Sequence, residues 1–109
     1  MSKGLTFDDL AVPLRTLRLL AADFGHLPAP DVRLSTIYLN RVELDFFDDL
    51  AEFEAWREAL GIAPERVNYR VQGGGRTQVL RTIATYAGAE LELIGYGDVP
   101  TPALVGGAA

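Results

Sequence analysis

FFDDLAEFEAWREALG, residues 46–61, reads as one amphipathic helix with both of its ends marked. Asp48 and Asp49 can each accept hydrogen bonds from the free amides of a first turn, and Asp49 with Glu52 has the spacing of a capping box. The helix is therefore expected to start at one of these two aspartates. Leu50, Phe53, Trp56 and Leu60 recur every three or four residues and share one side, while Glu52, Glu54, Arg57 and Glu58 lie mostly elsewhere. Gly61 supplies a left-handed stop, and Pro64 prevents the helix from resuming. A helix with one apolar stripe needs a second layer to bury it, and the flanking segments supply strands.

Upstream, Leu10, Leu14, Leu17, Ala21 and Phe24 form a series with helical spacing, which predicts a first helix with one buried stripe. Pro13 has no amide hydrogen and fits only a first turn, so this helix should begin near Asp9 or Leu10, with residues 6–9 as a leading turn. Gly25 and the segment HLPAP end it. Val32 and Leu34 then alternate with Arg33 and Ser35, Ile37 and Leu39 follow in the opposite phase, and Val42, Leu44 and Phe46 alternate with Glu43 and Asp45. That pattern predicts a β-hairpin with a bulge near Ser35 and Thr36 and a turn near Asn40 and Arg41.

Downstream, Val67, Tyr69 and Val71 alternate with Asn68, Arg70 and Gln72, and a glycine triplet, Gly73, Gly74 and Gly75, interrupts the strand. Residues 77–86 are rich in β-branched and aromatic side chains, Ala87 and Gly88 supply a tight turn, and Leu91, Leu93 and Ile94 belong to a last strand ending near Gly97. The order is helix, strand, strand, helix, strand, strand, strand. Short connections favour antiparallel pairing, so the expected fold is α+β: a mostly antiparallel sheet with both helices on one face. Residues 1–99 form one domain in this reading, and residues 100–109 a flexible tail with too few anchors to pack.

The chain has 109 residues and 49% hydrophobic content, enough for one core and too little for two domains. It has no cysteine and a single histidine, His26, which removes disulfides, thiol chemistry, zinc sites and any mechanism needing two imidazoles. No apolar run reaches the roughly 20 residues of a membrane span, and the N-terminus has acids where a signal peptide needs an apolar stretch, so a cytoplasmic location is expected. The net charge is −5, unevenly spread. Residues 43–58 hold seven acids and one arginine, whereas residues 66–81 hold four arginines and no acid. Acidic charge overall argues against general nucleic-acid binding, because phosphate repulsion would oppose it.

No motif gathers catalytic groups. Gln72 to Thr77 imitates a phosphate-cradling loop, but a strand follows it rather than a helix N-terminus. His26 sits in a loop with no nucleophile placed beside it. Asp45, Asp48, Asp49 and Glu52 are the densest acids, but their spacing is not that of a calcium loop. Neither a cofactor nor a metal is expected. Both faces of the sheet are partly apolar, since Ile94 and Tyr96 point away from Leu91 and Leu93, and an uncovered apolar face marks an interface.

The stretches LAEFEAWREALGI and TYAGAELELIGYG resemble small proteins of unassigned function encoded in actinobacterial genomes of the Streptomyces type, including phages and integrated elements. The likeness runs over residues 42–97. It implies an accessory role and carries over no functional residues. The high share of arginine among the basic residues, nine of ten, fits a GC-rich genome.

The function expected from the residues is a non-enzymatic interaction protein, acting through a sheet face or edge, as a homodimer or with a protein partner. The candidate contacts are Ile94 and Tyr96 on the sheet and Glu52, Glu54 and Glu58 on the outer side of the helix, acids that the fold does not require. One alternative is a nucleic-acid or anion contact through Arg70, Arg76 and Arg81; a second is an enzyme acting on a small molecule.

Overall fold

The computed structural model describes residues 4–47 and 49–99. The expected capping by Asp48 and the tail at residues 100–109 lie outside the described residues. After a 3-10 turn at Phe7–Leu10 come α1 (Ala11–Phe24), β1 (Asp31–Leu34), β2 (Arg41–Phe47), α2 (Leu50–Ala59), β3 (Asn68–Gln72), β4 (Thr77–Tyr86) and β5 (Ala89–Asp98). The five strands form one sheet in the order β1-β2-β5-β4-β3. Every pairing is antiparallel except that of β2 with β5, where the last strand returns to lie parallel to the second. The fold is α+β, with both helices over β2 and β5 on one face.

The apolar phase of the central strands builds the core. Val42, Leu44 and Phe46 of β2 and Leu91 and Leu93 of β5 are buried against Phe53 and Trp56 of α2 and Leu20 of α1. Each such side chain contributes about 1.5–3 kcal/mol by leaving water. Helix α2 sits close to the sheet because β5 has Gly95 where a side chain would collide: a Cβ there would lie 2.9 Å from a Leu50 methyl and 3.1 Å from the Phe53 Cβ. Asp49 caps α2 by accepting the amide of Ala51 at 2.9 Å, and Gly61, at φ +72°, ends it. Trp56 donates its indole N–H to the Pro28 carbonyl at 2.8 Å and packs on Phe24, which ties the α1–β1 connection to α2.

Several local expectations need correction. The hairpin has no bulge at Ser35, because the chain leaves the sheet over residues 35–40; it returns through the expected turn at Asn40, where the Arg41 amide donates to the Tyr38 carbonyl at 3.2 Å. The Ser35 hydroxyl accepts the amides of Ile37 at 2.9 Å and Tyr38 at 3.0 Å, so those donors are unavailable to a ladder. In α1 the buried positions are Pro13, Thr16 and Leu20, and Ala21 is exposed; Thr16 can be buried because its hydroxyl donates to the Val12 carbonyl at 2.9 Å. Arg57 is not an outward charge. It is buried, donates to the Ile62 carbonyl at 2.6 Å, and is held by Glu54 at 2.9 Å. Glu54 is therefore part of the fold, fixing the chain that leaves α2.

The helices do not reach β3. All five of its residues are exposed, and Tyr69 on its helix-side phase is 58% exposed.

Candidate interaction face

Side chains alternate along strands, so the phase opposite the core forms a second face with no described helix on it. The strand registers arrange that face in rows. Phe47, Tyr96, Val79 and Arg70 make one row across β2, β5, β4 and β3. Asp31, Asp45, Ile94, Arg81 and Asn68 make the next, across all five strands. Arg33, Glu43, Glu92 and Ile83 form the third, and Arg41, Glu90 and Thr85 the fourth.

Charge on this face is paired between strands. Arg41 holds Glu90 through two donors, at 2.9 and 3.1 Å, and lies 3.7 Å from Glu92. Its guanidinium stands over the Tyr38 ring, 4.5 Å from the centroid, so the loop of residues 35–40 leans on the sheet there. Arg81 holds the other oxygen of Glu92. Arg33 reaches Asp45 at 3.5 Å and Glu43 at 3.7 Å, loose contacts for a side chain that is 70% exposed. The apolar part is the Phe47 and Tyr96 pair, stacked at 5.0 Å with 7° between planes, with Ile94 and Val79 beside it.

Asp45 is the unusual member. It is only 2% exposed, and its Oδ1 has no hydrogen-bond partner among the described residues. Burial pushes its carboxyl up to about 7, helped by the neighbouring Glu43 carboxyl and by the negative charge of Asp31, and opposed by Arg33. The Tyr96 hydroxyl is also shifted upward, first by burial and then by Asp45 and Glu43. Two carboxyls thus share one loosely held arginine, and the site is one cation short.

Two clefts open on the face. One of about 530 Å³ lies under the loop of residues 35–40, between Arg33, Tyr38, Arg41 and Glu92. The other, about 390 Å³, lies between Arg70, Arg81, Ile94 and Tyr96. The structure thus brings together four residues singled out from the sequence. Arg76 lies instead in the β3–β4 turn, and Glu52, Glu54 and Glu58 belong to α2, on the other side of the sheet. Sequence reasoning passed over Arg33, Glu43 and Glu92, placed Arg41 at a turn, and weighed Asp45 only within a dense acidic group whose spacing is not that of a calcium loop. The signal that finds them is the parallel register of β2 on β5, which sets Arg41 beside Glu90 and Glu43 beside Glu92.

Among the described residues no three histidine, aspartate or glutamate side chains gather to hold a metal ion, and no helix is long and apolar enough to cross a membrane. No family model, curated protein or solved structure matches the chain, so the reading of this face rests on its own chemistry.

Proposed function

We propose that this protein is an interaction module, without catalytic chemistry of its own, whose contact surface is the open sheet face around Ile94 and Tyr96. The observation that carries this reading is the Phe47–Tyr96 stack with Ile94 beside it: partly exposed apolar side chains on a sheet face that no described helix covers, rimmed by charged residues. An apolar centre with a polar rim is the layout of protein interfaces. Nucleic acid is the weaker reading of the same arginines. The net charge of −5 opposes phosphate, and Arg41 is already held by Glu90 through two donors.

The test is capture from cells that make the protein, using wild-type, Ile94→Glu and Glu58→Lys baits. Loss of the captured partner with Ile94→Glu and retention with Glu58→Lys is the expected result. The reverse pattern would move the contact to α2, and retention by both would remove the sheet face from consideration.

A further inference from the structure

We infer that the occupant of this face is a second copy of the same chain, packed sheet to sheet about a two-fold axis running along β5. The inference rests on the proposal that the face is an interaction surface, and it adds the partner. Its basis is the charge pattern of one row. Strand β5 is the middle strand of five, and Ile94 is the middle residue of the row that crosses all of them. On one side of Ile94 stand Asp45 and then Asp31; on the other stand Arg81 and then Asn68. The row is acidic on one side of its centre and basic on the other.

A two-fold along the central strand exchanges those sides and keeps the height of each row. It places β4 of one copy over β2 of the other, so the second copy's Arg81 faces Asp45 and its Val79 faces Phe47, while Ile94 and Tyr96 meet their own equivalents. Each contact off the axis occurs twice, as an isologous interface requires. Packed sheets rotate by about 30° relative to each other, so residues near the axis keep these contacts best, and those are Ile94, Tyr96, Asp45 and Arg81. Glu90, Glu92 and Asp98 also fall near their own copies. Arg41 of the same chain holds Glu90, and Arg41 and the Nε of Arg81 hold Glu92, which leaves the terminal nitrogens of Arg81 to reach Asp45 of the other copy. Asp98 lies at the exposed end of β5.

The Asp45 carboxyl supplies an independent reason to expect an incoming cation. Its Oδ1 is an unpartnered acceptor, and Arg33, its one arginine, is mostly in water and 3.5 Å away. In the single chain burial keeps the Asp45 carboxyl protonated toward neutral pH; in the dimer the second copy's arginine takes the place of that proton as it displaces the loosely held Arg33. The groups facing Asp45 are Asp31 and Arg33 from β1, Glu43 on its own strand, and Tyr96 from β5. Association should therefore release a proton and tighten several-fold as pH rises through about 7. The face spans roughly 20 Å across the strands and roughly 20 Å along them, so the pair covers about 800 Å² in total, below the usual stable interface and in the range of a weak, micromolar association.

The experiment is sedimentation of the full chain over a range of micromolar concentrations, above and below neutral pH. Wild type should dimerise, more tightly at the higher pH. Ile94→Glu should be monomeric and folded by circular dichroism. Arg81→Glu and Asp45→Lys should each be monomeric alone, because both put like charges opposite each other twice. Mixed, they should pair, since one contact is then native and the other restored with its charges exchanged. If Asp45→Lys fails to fold, Ile94→Cys decides the geometry: the chain has no other cysteine, and two copies should be joined by a short bis-maleimide across the axis. A monomeric wild type at hundreds of micromolar overturns the inference, as does a dimer that survives Ile94→Glu or whose strength ignores pH. A monomeric wild type whose captured partner is lost on Ile94→Glu would leave the interaction face standing with a different occupant.

Discussion

The two faces of the sheet are built from the same strands in opposite phase, and they obey different rules. On the covered face, β2 and β5 place Val42, Leu44, Phe46, Leu91 and Leu93 under the helices, and every one is buried. Nothing there depends on charge, pH or a particular neighbour beyond shape. On the open face the same two strands place Arg41, Glu43, Asp45, Glu90 and Glu92, and each is placed by a pairing across strands. Stability resides in the first face. The second has the paired charges, the stacked aromatics and an incompletely satisfied acid, features that suit recognition better than folding.

The contrast can be broken first from the covered side. Phe53 is fully buried and meets Phe46 edge-on at 6.2 Å, so Phe53→Ala should cost about 3–5 kcal/mol in denaturant unfolding. A loss near that of a surface site would mean that α2 does not seal the core. Asp45 tests the open side. Its carboxyl is raised in the folded chain from 3.8 to about 7, so its contribution to stability is fully present below pH 4 and is lost as pH rises to about 7. The loss is a few kcal/mol at most, because Arg33 opposes the shift. Asp45→Asn should unfold with a flatter pH profile than wild type when both are followed at concentrations too low to dimerise, and an unchanged profile would show that Asp45 is not a buried acid.

Smaller effects sharpen the comparison at its margins. Gly95→Ala pushes a methyl to 2.9 Å from Leu50, and overpacking of this kind should cost about 1–3 kcal/mol, a loss that a Leu50→Ala partner substitution partly relieves in a double-mutant cycle. Ala87, in the β4–β5 turn, is held at φ +52°, where a Cβ is strained. Ala87→Gly should raise the unfolding midpoint by the equivalent of about 1 kcal/mol or less, with no change in association.

How much of this was legible follows from the range of the forces. Alternation and capping act locally, and they located β4 at residues 77–86, the Asp49 cap, the Gly61 stop and the opposite orientations of Leu93 and Ile94. They also assigned Ile94, Tyr96, Arg70 and Arg81 to the phases that the structure unites in one cleft. Non-local pairing was not legible. The parallel contact of β2 with β5 joins residues about fifty apart in the chain, and nothing in either segment names the other. With that register hidden, Glu43 read as a polar position in an alternating strand and Asp45 as one of a dense acidic group. Arg57 was hidden for a related reason: its burial depends on where the chain turns after Gly61, which delivers the Ile62 carbonyl to its guanidinium. Ser35 misled because a hydroxyl that captures two amides looks, in a pattern of alternation, like a bulge.

The division of labour between the faces is tested most directly by the denaturant unfolding midpoint measured against protein concentration at pH 8. A chain whose open face binds a second copy is stabilised by mass action, so the wild-type midpoint should rise with concentration and that of Ile94→Glu should stay level at the wild-type low-concentration value. A wild-type midpoint independent of concentration, or an Ile94→Glu midpoint well below that level, would contradict the assignment of association to the open face and of stability to the covered one.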